Sequence, residues 1–536
     1  MRPILQLCSR LLRPLNVNCF APSKTGIFSR LYANECKNTN TRNGVVFGVY
    51  QEGCEYKYSV DAQAFNDRLS GAISKLLAVS PIPPGSAQLF NNLDKDYPNL
   101  AVANIGSQKA GYDSVELLDL AKSNVRQAIG QAVLLLDNEG CTKIFVDGLD
   151  CPDTAAEAAL LASWKFEAMK SGINQTQQAT VEPYNKNDKG LFDRGVVFGS
   201  VQNLARMLTE IPPNALTPTY FADQIIRMLC PCGITVDVHD RDWMESKNLN
   251  GILEASKGSC EAPLFAVIGY CGGDKNQKPL ALVGHATTYD TGGVCLRGCD
   301  DMAYKKRHVA SGATLIGLMK GISCLSLPVN VYAYIPLFES GTSGSGIKAT
   351  DVYTALNGKS VNVDNTKYIS RLAVADTITY ATRKEAEPQA LINVSTLCGV
   401  TSRLFGELAT PLFTNNVGMW KELEQAGSIT GDRVWPMPSY KRKVQMITRD
   451  DIADVAVLGE GGVDLDDLGK SAAFVAQFLT DPNIEFAHLD IGGVCRNNDV
   501  VTFPFLRPEF ATGRLTRTLL QMIYQIACPH IPPPHK

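Results

Sequence analysis

Three stretches of the chain concentrate residue types that could do chemistry. Residues 283–293 read VGHATTYDTGG: an apolar strand runs into a glycine-rich turn, with His285 at the strand end and the acid Asp290 at the lip of the turn. Residues 302–314 read MAYKKRHVASGAT and place His308 just ahead of a helix start at Ser311. Residues 357–371 read NGKSVNVDNTKYISR and end on Arg371. Two histidines and a carboxylate are a competent ligand set for one divalent ion. His285, Asp290 and His308 could therefore hold a single metal, provided they converge with an open coordination position. The plainer reading makes Asp290 a turn aspartate and the histidines ordinary half-buried side chains. Lys305, Lys306 and Arg307 read as a solvated loop face, and in a closed cleft they would oppose cation binding.

Together these stretches resemble the catalytic domain of the leucyl aminopeptidase family, the M17 metallopeptidases. The resemblance spans about residues 190–519 and is supported, in order, by NLAR at 203–206, PPN at 212–214, TLCG at 396–399, GDRVW at 431–435, AHLD at 487–490 and TGR at 512–514. It implies an α/β protein of two domains, a smaller N-terminal α/β domain and a larger C-terminal α/β/α peptidase-like domain with a mixed sheet. It also implies a pair of divalent ions, zinc or manganese, held by carboxylates and a lysine. A second lysine and an arginine with bound bicarbonate then assist attack by a metal-bridging water on an N-terminal peptide bond. Two dications need several carboxylates to balance them, and the ions acidify the water and polarise the carbonyl.

Against that pattern the present residues depart sharply. His285 stands where the family has a metal-binding lysine, while the following ligand survives as Asp290. Arg297 occupies the catalytic-lysine position, and His308 aligns with the next metal-binding aspartate. Where the family reads Asn-Thr-Asp-Ala-Glu-Gly-Arg, residues 365–371 read NTKYISR, so two ligand positions are Lys367 and Ile369 and only Arg371 remains. Two dications in such a pocket would be uncompensated, at several kcal/mol or more per ion. Lys367 is therefore expected to replace the metal by pairing with Asp290. Arg297 and Arg371 keep the family's catalytic positions and could bind an oxyanion or bicarbonate, although arginine is a poor stand-in for lysine as a point donor. The expectation is a catalytically degenerate protein with no bound metal, or one residual ion. The alternative is an active aminopeptidase with one or two divalent metals, releasing N-terminal amino acids from peptides.

The elements that must position these residues alternate in type. Strands are expected at 45–50, 100–105 and 143–146, with helices over 62–78 and 114–137. A polar stretch, 174–189, suits a linker or exposed loop, which places an N-terminal domain at 33–189 and the peptidase-like domain at 190–527. In the second domain, strands are expected at 280–283, 329–335, 390–394 and 485–491, and helices at 311–320, 371–382 and 470–479. Their continuous apolar strands imply a sheet covered on both faces, with ligands where strands end in loops. Residues 528–536, with three consecutive prolines, are expected to be a disordered tail.

The chain has 536 residues, 45% of them hydrophobic and 20% charged, enough to bury large cores. A net charge of −3 gives no attraction to nucleic acid or anionic lipid, and no apolar run approaches a bilayer span. Sixteen cysteines scattered from Cys8 to Cys528 without a framework point to reduced thiols, and Cys230-Pro231-Cys232 reads as a turn. Residues 1–32 differ in kind, carrying Arg2, Arg10, Arg13, Lys24 and Arg30 among leucines with no acid. That composition resembles a mitochondrial transit peptide rather than a plain basic tail. A presequence together with lost ligands resembles the sperm-type leucyl aminopeptidases. This implies a hexamer of two trimers, alone or mixed with related chains, serving assembly in the mitochondrial matrix or the sperm mitochondrial derivative.

Overall fold

The computed structural model describes residues 42–461, 467–496 and 503–529. The basic leader and the tail beyond residue 529 lie outside the described residues.

The first domain rests on a six-stranded sheet of β1 (Asn43–Glu52), β2 (Glu55–Tyr58), β3 (Ala87–Asn91), β4 (Asn99–Gly106), β5 (Lys143–Val146) and β6 (Thr180–Pro183). The order is β3-β4-β1-β5-β6, with β2 folded back on β1. Strands β4, β1, β5 and β6 are parallel, and β1 and β4 are buried along almost their whole length, as parallel strands covered on both faces must be. Val45, Phe47 and Val49 face α1 (Val60–Arg68) and α2 (Ala72–Val79), whereas Val46 faces α3 (Leu120–Asn138) and α4 (Pro152–Ser163).

Three expectations are corrected here. The single helix over 62–78 is two, because Ser70 and Gly71 take left-handed φ of +54° and +74°. Asn66 then accepts the Ile73 N–H through its side chain, restarting the chain as α2. The helix expected from residue 114 begins at Leu120, where Asp119 caps it by accepting the Lys122 N–H at 3.0 Å. The polar segment 174–189 is not wholly linker. Its residues Thr180–Pro183 form β6, an edge strand parallel to β5.

The second domain carries a nine-stranded mixed sheet. Its strands are β7 (Thr235–His239), β8 (Leu264–Cys271), β9 (Leu280–Val283), β10 (Ala286–Asp290), β11 (Asn330–Ser340), β12 (Ala390–Ser395), β13 (Ala409–Thr414), β14 (Arg433–Pro436) and β15 (Glu485–Asp490). They lie in the order β14-β13-β15-β12-β9-β11-β8-β7, with β10 pairing β11. Helices α5 (Lys189–Glu210), α6 (Ala310–Cys324), α8 (Val417–Thr430) and α10 (Thr516–Ala527) cover one face, and α7 (Ser370–Ala381) and α9 (Asp467–Ala476) the other. Along β9 the period of two is plain: Leu282 enters the first core, Ala281 and Val283 the second. The parallel central strands β9, β12 and β15 end together, so the loops leaving them converge at one edge. Cys230–Cys232 is a single 3₁₀ turn, and the cysteines among the described residues are unbridged. No helix among the described residues is long and apolar enough to cross a membrane.

Candidate active-site cleft

Strand β9 runs through Gly284 and His285 into β10, and the first turn of α6 packs beneath this corner. A Cβ on Gly284 would lie 2.8 Å from both Ser311 Oγ and Leu315 Cδ1, so the close approach requires glycine. Ser311 Oγ accepts the His285 N–H at 2.9 Å and fixes the corner.

The His285 ring is fully buried and both its nitrogens are engaged. Nε2 accepts the Thr396 N–H at 3.2 Å, so Nδ1 carries the proton and donates to Thr287 Oγ1 at 3.0 Å. Burial pushes its pKa down to about 3, which keeps the ring neutral. The Thr396 hydroxyl bridges the two histidines, 3.2 Å from His285 Nε2 and 3.1 Å from His308 Nδ1. His308 is also held well below its ordinary pKa, by burial first and then by the Lys305 and Arg297 charges. Its Nε2 stands 3.8 Å from Asp290, too far for a hydrogen bond.

Asp290 is 1% exposed, and each of its oxygens accepts a hydrogen bond. Oδ1 accepts the Gly292 N–H at 2.8 Å in a turn where Gly292 and Gly293 take φ of +86° and +66°. Oδ2 accepts from Arg297 Nη2 at 2.6 Å, and the same guanidinium nitrogen reaches the Lys367 carbonyl at 2.6 Å. The cation facing Asp290 is therefore Arg297 and not Lys367, which corrects the expected Lys367–Asp290 pair. A planar, permanently charged guanidinium seven residues downstream reaches the carboxylate across the glycine turn. No carboxylate among the described residues makes an ion pair with the Lys367 ammonium, which lines the cleft. Ile369 is buried among Val283, Leu372 and the rest of the second core.

Arg371 is a strut. Its guanidinium is wholly buried, donates to Asp467 Oδ1 at 2.6 Å and to the Val457 carbonyl at 2.7 Å, and lies 4.3 Å from the Tyr368 ring centroid. Its Nε is buried without a hydrogen-bond partner. The Lys305–Arg307 run is also not a solvated face. Lys306 pairs with Glu210 at 2.8 Å, and Arg307 is buried 3.5 Å from the same carboxylate.

Thr396, Asp467, Arg496 and Tyr304 complete the cleft, and none stands out in the sequence as chemistry. Thr396 carried a signal only as the first residue of the TLCG stretch, and Tyr304 only as part of the 302–314 stretch. The cavity measures about 640 Å³ and, among the described residues, is lined by seven arginines and lysines against three aspartates.

Comparison with known proteins fits this architecture. The catalytic domain of the cytosol aminopeptidase family matches residues 203–520, and the N-terminal domain of the same family matches residues 46–172. The chain belongs to the cytosol aminopeptidase family. It is 33% identical to the cytosol aminopeptidase of Bos taurus over 93% of this chain and 95% of the bovine protein. For the Homo sapiens cytosol aminopeptidase the figures are 32%, 93% and 95%. Among solved structures, the bottromycin maturation enzyme BotP in complex with Mn shares the fold with a TM-score of 0.76 at 21% identity, covering 91% of this chain and 100% of BotP.

The residues present here do not fit a pair of divalent ions. Both oxygens of Asp290 and both nitrogens of His285 are hydrogen-bonded within the protein, and Arg297 occupies the space against the carboxylate. Nor do His285, Asp290 and His308 converge on one open position. Among the described residues no group of three or more His, Cys, Asp or Glu side chains is arranged to hold a metal ion.

Proposed function

We propose that this chain is a catalytically degenerate member of the cytosol aminopeptidase family that serves an assembly role. The observation that carries this reading is the Arg297 guanidinium bonded at 2.6 Å to the buried Asp290 carboxylate. In a two-metal peptidase that carboxylate would face an ion that activates water and polarises the carbonyl. Here a fixed organic cation balances it, and a guanidinium cannot carry a hydroxide. Lys367 and Ile369 support the reading, since a cation and a hydrocarbon supply no lone pair for a ligand bond. The two histidines are poor general bases, because burial holds their pKa values well below the ordinary imidazole range and Thr396 engages both rings.

The cationic, acid-free leader supports a mitochondrial location, and the family resemblance supports a hexamer of two trimers, of this chain alone or with related chains. Membership of an aminopeptidase family favours the contrary reading, an active metallo-aminopeptidase. Hydrolysis of leucine amide decides between them, on protein equilibrated with zinc or manganese and then freed of excess ion. The account expects no turnover above a chelator-treated control. Turnover that is lost with chelator and restored by metal would contradict it.

A further inference from the structure

Among the described residues the cleft is cationic. Seven cationic side chains line it against Asp290, Asp301 and Asp467, an excess of positive charge among the described residues that the neutral His308 does nothing to offset. Two of the three carboxylates are already matched, Asp290 by Arg297 and Asp467 by Arg371. Asp301 is a weak partner, 3.6 Å from Lys305 and 64% exposed. The Lys305 ammonium is largely buried, and burial together with the Arg297 charge destabilises its charged form. Lys367 has no ion-pair partner among the described residues. Arg297 Nε and Arg307 Nε and Nη1 are buried without hydrogen-bond partners. At the cleft's edge, Arg496, one of the seven, stacks on Tyr304 at 3.7 Å from the ring centroid. Undercompensated cations in a cavity of about 640 Å³ make a receptor for counter-charge of small-molecule size.

We propose that the cleft binds a small oxyanion carrying two or more negative charges, with Lys305 and Lys367 as its ion-pair partners and Arg297 at its floor. The shared chemistry is that of polycarboxylates and phosphate compounds. Arg371 is a lesser contributor, since Asp467 and Val457 hold its two terminal nitrogens. The inference rests on the reading that protein cations stand where the family's metal ions would, because a bound metal pair would carry the anion by itself.

The test is isothermal titration calorimetry on the purified protein, its metal content measured first, with citrate and pyrophosphate as probes and acetate as the monovalent control. The expected result is saturable binding of at least one probe and none of acetate. Affinity should fall at least tenfold in Lys305→Gln and in Lys367→Gln and remain unchanged in the surface variant Lys75→Gln, with circular dichroism melts matching the parent. Which probe binds more tightly assigns the ligand to carboxylate or phosphate chemistry. No saturable heat with either probe, or affinities indifferent to both lysine substitutions, overturns the inference while a metal-free sample leaves the degenerate-site reading standing. Binding that appears only with bound metal and vanishes on chelation overturns both.

Discussion

At the scale of single residues, the account turns on what balances Asp290. Removing one partner of a buried ion pair leaves an uncompensated charge, which costs about 3–5 kcal/mol. Arg297→Met should therefore destabilise the fold by about 3 kcal/mol, and adding Asp290→Asn should recover much of that loss. Lys367→Ala, by contrast, should change stability by no more than about 0.5 kcal/mol, the range of surface substitutions. Urea unfolding of the four proteins checks this, and a Lys367→Ala loss as large as that of Arg297→Met would contradict it. A second prediction concerns pH. A histidine in the unfolded chain titrates near about 6.5, whereas buried His285 titrates at about 3. Between these values the unfolded state binds more protons, so the stabilisation from neutral His285 is complete above about pH 6.5 and is lost as pH falls towards 3. The melting difference between parent and His285→Asn should be largest at pH 7 to 8 and shrink steadily to pH 4. A difference that grew on acidification would refute the sign. The candidate site residues could be named from the sequence, because motif order anchors them across long separations. Their partners could not: Arg297 reaches Asp290 only because two left-handed glycines turn the chain, and Lys367 was the more obvious cation on charge alone.

At the scale of elements, strands were read more faithfully than helices. Apolar runs such as those of β1, β4 and β12 are buried on both faces and give an unambiguous signal. The break between α1 and α2 depends on Asn66 capping through its side chain, a local hydrogen bond that hydrophobic period does not encode. Strand β6 was hidden because an edge strand of half-exposed residues has neither alternation nor an apolar run. Helix packing offers a sharper test. A Cβ on Gly195 of α5 would sit 2.0 Å from the Asp153 carbonyl oxygen of α4, a contact backbone cannot yield cheaply. Gly195→Ala should lower stability by about 3 kcal/mol through overpacking. An unchanged denaturation midpoint would show that the two helices are not so closely docked.

At the scale of the whole molecule, the two domains are joined by a buried charge cluster that no linear reading anticipates. Glu157 of α4 accepts from Arg126 Nε at 2.6 Å and from the Arg517 guanidinium of α10, and Arg126 also donates to the Ile429 carbonyl in α8. Glu157→Gln would leave two buried guanidiniums short of counter-charge, and a loss of about 3 kcal/mol is expected in a calorimetric scan. An unchanged transition would mean the cluster does not couple the domains. The two-domain plan itself was legible, since family motifs run in order through the core. The central claim is that the residues of this cleft hold no metal pair. Its most direct test is the metal content of the purified protein by mass spectrometry, after equilibration with zinc and manganese and removal of excess ion. The account predicts no stoichiometric ion, in the parent and in Asp290→Asn alike. Two ions per chain, lost in Asp290→Asn, would contradict it and restore the peptidase.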